Sequence, residues 1–99
     1  VTENVPSGGP IFRAVAQIVN QKGLHARASA KFVEAVARHS CEVTVTKDGT
    51  SVSGRSIMGL MMLGAAKGST IELSAQGEGA RAVMTELLEL IRAKFYEDL

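Results

Sequence analysis

Two separate stretches of this chain alternate strictly between apolar and polar side chains. In the first, Cys41, Val43 and Val45 interleave with Glu42, Thr44 and Thr46; in the second, Ile71, Leu73 and Ala75 interleave with Thr70, Glu72 and Ser74. A period of two puts every apolar residue on one face, so each stretch predicts a strand buried on one side only. Such strands need a cover on that face and leave the other to water. Asp48-Gly49 follows the first stretch and supplies the positive-φ positions of a tight hairpin, with Thr50 to Ser53 as the returning strand.

The cover is legible as helices. From Ala26 to His39 the apolar residues Ala30, Val33 and Ala37 recur at helical spacing, widened by Phe32 and Val36, while Arg27, Lys31, Glu34 and Arg38 occupy the remainder. Ala80, Val83, Met84, Leu87, Leu88, Ile91 and Phe95 trace a longer amphipathic helix. Ser56 to Leu63 predicts a short helix, with Ser56 as N-cap and Gly64 just past its end. Leu60 and Leu63 are expected in its core, with Ile57, Met58 and Met61 facing outward. The β-branched Val15, Ile18 and Val19 suit a first strand from Phe12 to Asn20, closed by the turn residues Asn20 to Gly23. The order is β-α-β-β-α-β-α, an α+β layer with helices on one face of the sheet.

The 99 residues bound a single domain, expected over residues 11–99 and preceded by a Pro- and Gly-rich leader at 1–10. A net charge of +1 without a basic tract, and four aromatic residues, argue against nucleic-acid binding. The longest charge-free apolar run, Ile57 to Ala66, falls well short of the roughly 20 residues that cross a bilayer, so no membrane span is expected. The leader lacks the basic start and apolar stretch of a signal peptide, which makes the cytoplasm the expected compartment. A lone Cys41 in an alternating apolar segment reads as a buried, inert thiol. No cofactor and no metal are expected: His25, His39 and Cys41 come from separate elements without paired ligand spacing, and His39 suits the carboxyl end of the first helix.

Charge is uneven along the chain. Residues 1–70 carry eight basic and four acidic side chains, residues 71–99 three and six, so the first helix and its loops form the electropositive region. A phosphate or an acidic partner suits it. Within that region lies Gly23-Leu24-His25-Ala26-Arg27, where the first strand gives way to the first helix. A helix start offers unpaired N–H groups and partial positive charge, which would receive a phosphoryl group on His25 and favour the neutral ring that a nucleophile needs. Arg27 could bring its guanidinium to the phosphoryl oxygens. Position alone leaves open a capping or surface histidine beside an unrelated arginine. Gly49 to Ser56 imitates a phosphate-binding P-loop, with Arg55 where Lys belongs, but it spans a hairpin turn and a strand and cannot cradle a nucleotide. Gly77-Glu78-Gly79 is too short for a dinucleotide fingerprint.

Gly-Leu-His-Ala-Arg at 23–27, followed by Ala30-Lys31-Phe32-Val33, and then Ser56-Ile57-Met58-Gly59-Leu60-Met61 with Leu63-Gly64 and Ala66-Lys67-Gly68, resembles the HPr family of phosphocarrier proteins of bacterial phosphotransferase systems. The resemblance runs from Phe12 to about Phe95. It implies an open-faced β-sandwich, a four-stranded antiparallel sheet covered on one face by three helices. It also implies that His25 takes a phosphoryl group on Nδ1 from phosphorylated enzyme I, with Arg27 assisting, and passes it to an enzyme II A component. The carrier would be a substrate of these proteins and a monomer with no turnover of its own. Leu24, Ala30, Ile57, Met58 and Met61 are the expected docking residues. Ser56 reads equally as an N-cap and, by resemblance, as a regulatory site for HPr kinase/phosphorylase. One departure is Ala28, where the family commonly has Pro; its loss leaves this helix start slightly less rigid. A relay in a nitrogen-related regulatory branch is the alternative within the family, and a ferredoxin-like binding module the alternative outside it, although that would need a longer second helix.

Overall fold

The structure is a computed structural model and describes residues 10–97; the expected leader lies almost wholly outside the described residues. Strands β1 (Ile11–Gln17), β2 (Glu42–Lys47), β3 (Thr50–Ser53) and β4 (Thr70–Gln76) alternate with helices α1 (Ala26–Ala37), α2 (Ile57–Met62) and α3 (Ala80–Arg92) in the expected order. A 3-10 turn, Lys94–Tyr96, follows α3. The strands form one antiparallel sheet in the order β1-β4-β2-β3.

Register explains why one face is apolar. Ala14 and Val45 both lie opposite Leu73, Phe12 and Val43 both lie opposite Ala75, and Val45 pairs onward with Val52. Val43, Val45, Ile71, Leu73 and Ala75 are buried beneath Phe32 and Val36 of α1, Leu60 of α2, and Val83 and Leu87 of α3. On the far face Arg13, Val15 and Glu72 are exposed. The turn between β2 and β3 has φ of 51° at Asp48 and 83° at Gly49, as the Asp-Gly pair predicts.

Several boundaries and faces differ from expectation. β1 ends at Gln17, three residues early, because Ile18 turns in to the core and exchanges backbone bonds with the β4 approach: Ile18 N–H to Ser69 O at 2.8 Å, Gly68 N–H to Ile18 O at 2.7 Å. Val15 faces the open side at 68% exposure, so the apolar set of β1 is Phe12, Ala14 and Ala16. In α1 the buried stripe is Ala28, Phe32, Ala35 and Val36, while Ala37 is exposed. The stripe centres on Phe32 and Val36 because large side chains bury more apolar area than alanines do, which turns the helix away from the Ala30, Val33, Ala37 face. α1 stops at Ala37, with Arg38 as its C-cap. The six-residue α2 is too short for a ferredoxin-like second helix.

Candidate functional site

The site grows out of the turn between β1 and α1. Gly23 has φ of 66°, and an added Cβ would stand 2.3 Å from the Ala65 carbonyl oxygen, so only glycine lets these two backbones meet. The contact is sealed by Leu24 N–H donating to Ala65 O at 2.9 Å. His25 is thereby delivered to the N-cap position of α1 in extended conformation, and its C=O accepts from Ser29 N–H at 2.8 Å.

The imidazole does what a Ser or Asp would do at this position. Its Nδ1 accepts the Arg27 backbone N–H at 3.2 Å. Its Nε2 meets the Glu97 carboxylate, in a short contact that sequence reasoning missed. An ionised carboxylate can only accept, so Nε2 carries the hydrogen and Nδ1 the free electron pair; both contacts call for that one tautomer.

Glu97 is itself held. The Asn20 amide nitrogen donates to both its carboxylate oxygens, at 3.2 and 3.3 Å, and to Gly23 O at 2.8 Å. Burial raises the Glu97 carboxyl, but the hydrogen bonds from His25 and Asn20, with the positive charge of Lys22, outweigh it and hold the group below its ordinary range. The chain reaches this point through a left-handed turn, with φ of 57°, 55° and 58° at Lys94, Phe95 and Tyr96. Phe95 is fully buried, and the Lys31 ammonium grips Phe95 O at 2.6 Å while lying 5.9 Å over the Tyr96 ring. L-residues resist this conformation by about 1–2 kcal/mol each, so core burial and the Lys31 bond must hold the turn in place.

Lys22, His25, Ala26, Arg27, Lys31, Tyr96 and Glu97 line one open cleft. Three cations surround the imidazole there, the electropositive region that the charge distribution predicts. Arg27 is exposed, and among the described residues its guanidinium pairs with no carboxylate. Ala28 is fully buried against the core.

Other predicted residues fall at varying distance from this cleft. Leu24, expected on the docking face, is only 4% exposed, because its backbone bond to Ala65 turns the side chain into the core. Ala30 is half-buried. On α2, Leu60 and Leu63 are buried, while Ile57, Met58, Met61 and also Met62 stand exposed. Ser56 caps α2, its Oγ accepting the Gly59 N–H at 2.9 Å. His39 lies just past the carboxyl end of α1, where the Arg38 N–H bonds Ala35 O and the His39 N–H bonds Val36 O, and its ring bonds Glu86 of α3 through Nε2 at 3.0 Å. No group of three His, Cys, Asp or Glu side chains clusters as metal ligands among the described residues. No helix among them is long and apolar enough to cross a membrane.

A family model described as the PTS HPr component phosphorylation site matches residues 12–93. Phosphocarrier protein HPr of Neisseria meningitidis serogroup A is 49% identical over 81 residues, covering 82% of this chain and 91% of that one. The HPr of Pseudomonas aeruginosa is 46% identical over 81 residues, covering 81% and 90%. Among solved structures, HPr-C-His from Thermoanaerobacter tengcongensis superposes with a TM-score of 0.85 at 39% identity, covering 89% of this chain and 99% of that one. The family match begins in β1, passes through the His25 turn and the Ser56 cap, and ends just beyond α3. By descent as well as by fold, this chain belongs to the HPr family of phosphocarrier proteins of the phosphotransferase system.

Proposed function

We propose that this protein carries a phosphoryl group on His25 Nδ1, accepting it from phosphorylated enzyme I and giving it to an enzyme II A component. The observation that supports this reading is the ring's tautomer and orientation: Nδ1 holds an electron pair at the start of α1 while Nε2 is engaged by Glu97. A phosphoryl group on Nδ1 would displace the Arg27 N–H bond and take that donor for one of its own oxygens, as anions do at helix starts. Arg27 is free to follow with its guanidinium, and Lys22 and Lys31 line the same cleft.

In this proposal the chain is a substrate of the transferases on either side and turns nothing over itself. It works as a monomer in the cytoplasm. Partners dock over the cleft and the exposed Ile57, Met58 and Met61, with half-buried Ala30 at the edge. Ser56 is the regulatory position: a phosphate there would place a dianion beside the apolar docking residues of α2 and oppose an acidic partner without unfolding the helix it caps. Incubation with phosphoenolpyruvate and purified enzyme I tests the central step. Wild type is expected to gain one acid-labile phosphate and His25→Ala none; labelling of the folded His25→Ala protein would overturn the assignment. Supplying the labelled protein with candidate acceptors then distinguishes sugar uptake from a regulatory branch.

A further inference from the structure

Among the described residues only two polar side chains are fully buried, Asn20 and Ser29. A polar group taken out of water costs free energy unless its hydrogen bonds are replaced, so each calls for an explanation. Both act on the same short run of backbone. Asn20 Nδ2 donates to the Gly23 carbonyl oxygen at 2.8 Å, and Ser29 Oγ donates to the Leu24 carbonyl oxygen at 3.2 Å. These are the two carbonyls that precede His25. The Asn20 amide is only partly satisfied there, because its Oδ1 is buried without a hydrogen-bond partner among the described residues. An apolar side chain would avoid that penalty, so packing does not account for an amide at this position.

Given the carrier reading above, on which this rests, we propose that Ser29 and Asn20 are positioning residues for phosphoryl transfer at His25, holding the Leu24 and Gly23 carbonyls turned inward and out of the path of the phosphoryl group. A carbonyl oxygen carries partial negative charge, and one turned toward Nδ1 would repel the phosphoryl oxygens as they arrive. In a trans peptide the C=O and the N–H point in opposite directions, so drawing a carbonyl inward also sets the N–H that follows it. Asn20 holds Gly23 O, and the Leu24 N–H goes the other way, to Ala65 O at 2.9 Å. Ser29 holds Leu24 O, which aims the His25 N–H outward. In the transfer itself the Nδ1 electron pair forms the N–P bond as the bond from phosphorus to the donor breaks, its pair staying with the donor. Donation breaks the N–P bond, returns its pair to Nδ1 and moves the phosphoryl group to the acceptor. Neither Ser29 nor Asn20 gains or loses a proton in either step.

The run needs holding because the peptide between Leu24 and His25 can rotate with little movement of its neighbours. The Leu24 N–H bond to Ala65 O and the His25 C=O bond from the Ser29 N–H both lie outside that peptide and would survive its rotation. The Ser29 hydroxyl is what grips it. A flipped peptide would present Leu24 O at the start of α1, an acceptor where an anion needs donors. Ser29 sits one turn into α1, so the helix whose start receives the phosphoryl group also fixes the approach to it. Neither Ser29 nor Asn20 lines the cleft around the ring, so both act through the backbone and not by touching the phosphoryl group.

The test uses the full chain as the varied phosphoryl acceptor of enzyme I, with phosphoenolpyruvate as donor. Ser29→Ala removes the hydroxyl and leaves the Asn20 bond to Gly23 O in place. It is expected to lower kcat about tenfold with KM within about twofold of wild type, because the approach to the ring is loosened while the exposed docking residues of α2 are untouched. Asn20→Ala should lower kcat in the same way. Val83→Ala, a substitution of a fully buried α3 residue, controls for stability alone: its urea midpoint should fall at least as far as that of Ser29→Ala, with the kcat and KM of wild type. With wild type labelled at His25, a Ser29→Ala chain that keeps the wild-type kcat, that changes KM alone, or whose loss Val83→Ala matches would overturn the positioning role and leave the carrier reading intact. Should Ser29→Ala not fold, Ser29→Cys, which keeps the side chain's shape and weakens its donor, takes its place under the same criteria. Failure of wild type to label at His25 would overturn the carrier reading and the positioning role together.

Discussion

Gly23 and Gly64 have nearly the same backbone angle, φ of 66° and 65°, in very different surroundings. A Cβ on Gly64 would meet nothing within 4 Å, whereas on Gly23 it would stand 2.3 Å from Ala65 O and 2.8 Å from Ala66 Cα. Replacing each by alanine therefore separates the conformational penalty from the clash. Gly64→Ala carries only the left-handed penalty, about 1 kcal/mol. At Gly23 both obstructing atoms are backbone and cannot rotate away, so the strands of the turn must separate and the Leu24 N–H to Ala65 O bond is lost. That bond and the desolvated groups it leaves unpaired add about 2 kcal/mol, for a total near 3. With a urea slope of about 1 kcal/mol per molar, the midpoint should fall by about 1 M for Gly64→Ala and about 3 M for Gly23→Ala. Urea unfolding followed by circular dichroism measures both. Equal midpoint losses would refute the claim that close backbone approach, and not left-handed geometry alone, dictates glycine at position 23.

Met61→Glu should leave the urea midpoint within about 0.5 kcal/mol of wild type, because the side chain is already 40% exposed, yet slow phosphoryl transfer by placing charge in an apolar contact; a large midpoint loss would show the residue to be core. Ser56→Ala should lose about 1 kcal/mol with the Gly59 cap, whereas Ser56→Asp should keep the cap and the fold but bind enzyme I more weakly, as calorimetry would show. Glu86 sits below its ordinary 4.5, chiefly through the His39 hydrogen bond and then that of Arg38. Its contribution to stability is therefore complete above 4.5 and lost as pH falls through the lower folded value, so Glu86→Gln should flatten the acid limb of a stability-against-pH curve.

How much of this was readable in advance depended on which residues carried a local signal. The β2–β3 hairpin, the Ser56 cap and the His25 helix start each rest on neighbours a few positions apart, and such short-range rules survive folding. The buried face of α1 was misjudged because small alanines and large Phe32 and Val36 were weighed alike, and packing answers to size. Val15 misled in another way: β-branching favours a strand but does not say which face it lands on, and register put it on the open side. Leu24 carried a motif's identity but no sign that a bond to Ala65 would bury it. Glu97 was invisible for a plainer reason. It reaches His25 across 72 positions through a left-handed turn of three residues, none of them glycine, and no spacing rule anticipates that path.

The place of β4 in the sheet also sets a timetable for the chain as it is made. β4 is the strand that bridges β1 and β2, so the first strand has no partner until Thr70–Gln76 has been synthesised. At roughly 5–20 residues per second, β1 waits several seconds after it emerges, with only the β2–β3 hairpin and nascent helices able to form locally. Pairings this distant in sequence close slowly even once the strand arrives. The nascent chain thus passes through an interval in which Phe12, Val43 and Val45 lack their cover, and it is then, not in the finished fold, that this small domain is most exposed to aggregation and to the chaperones that prevent it.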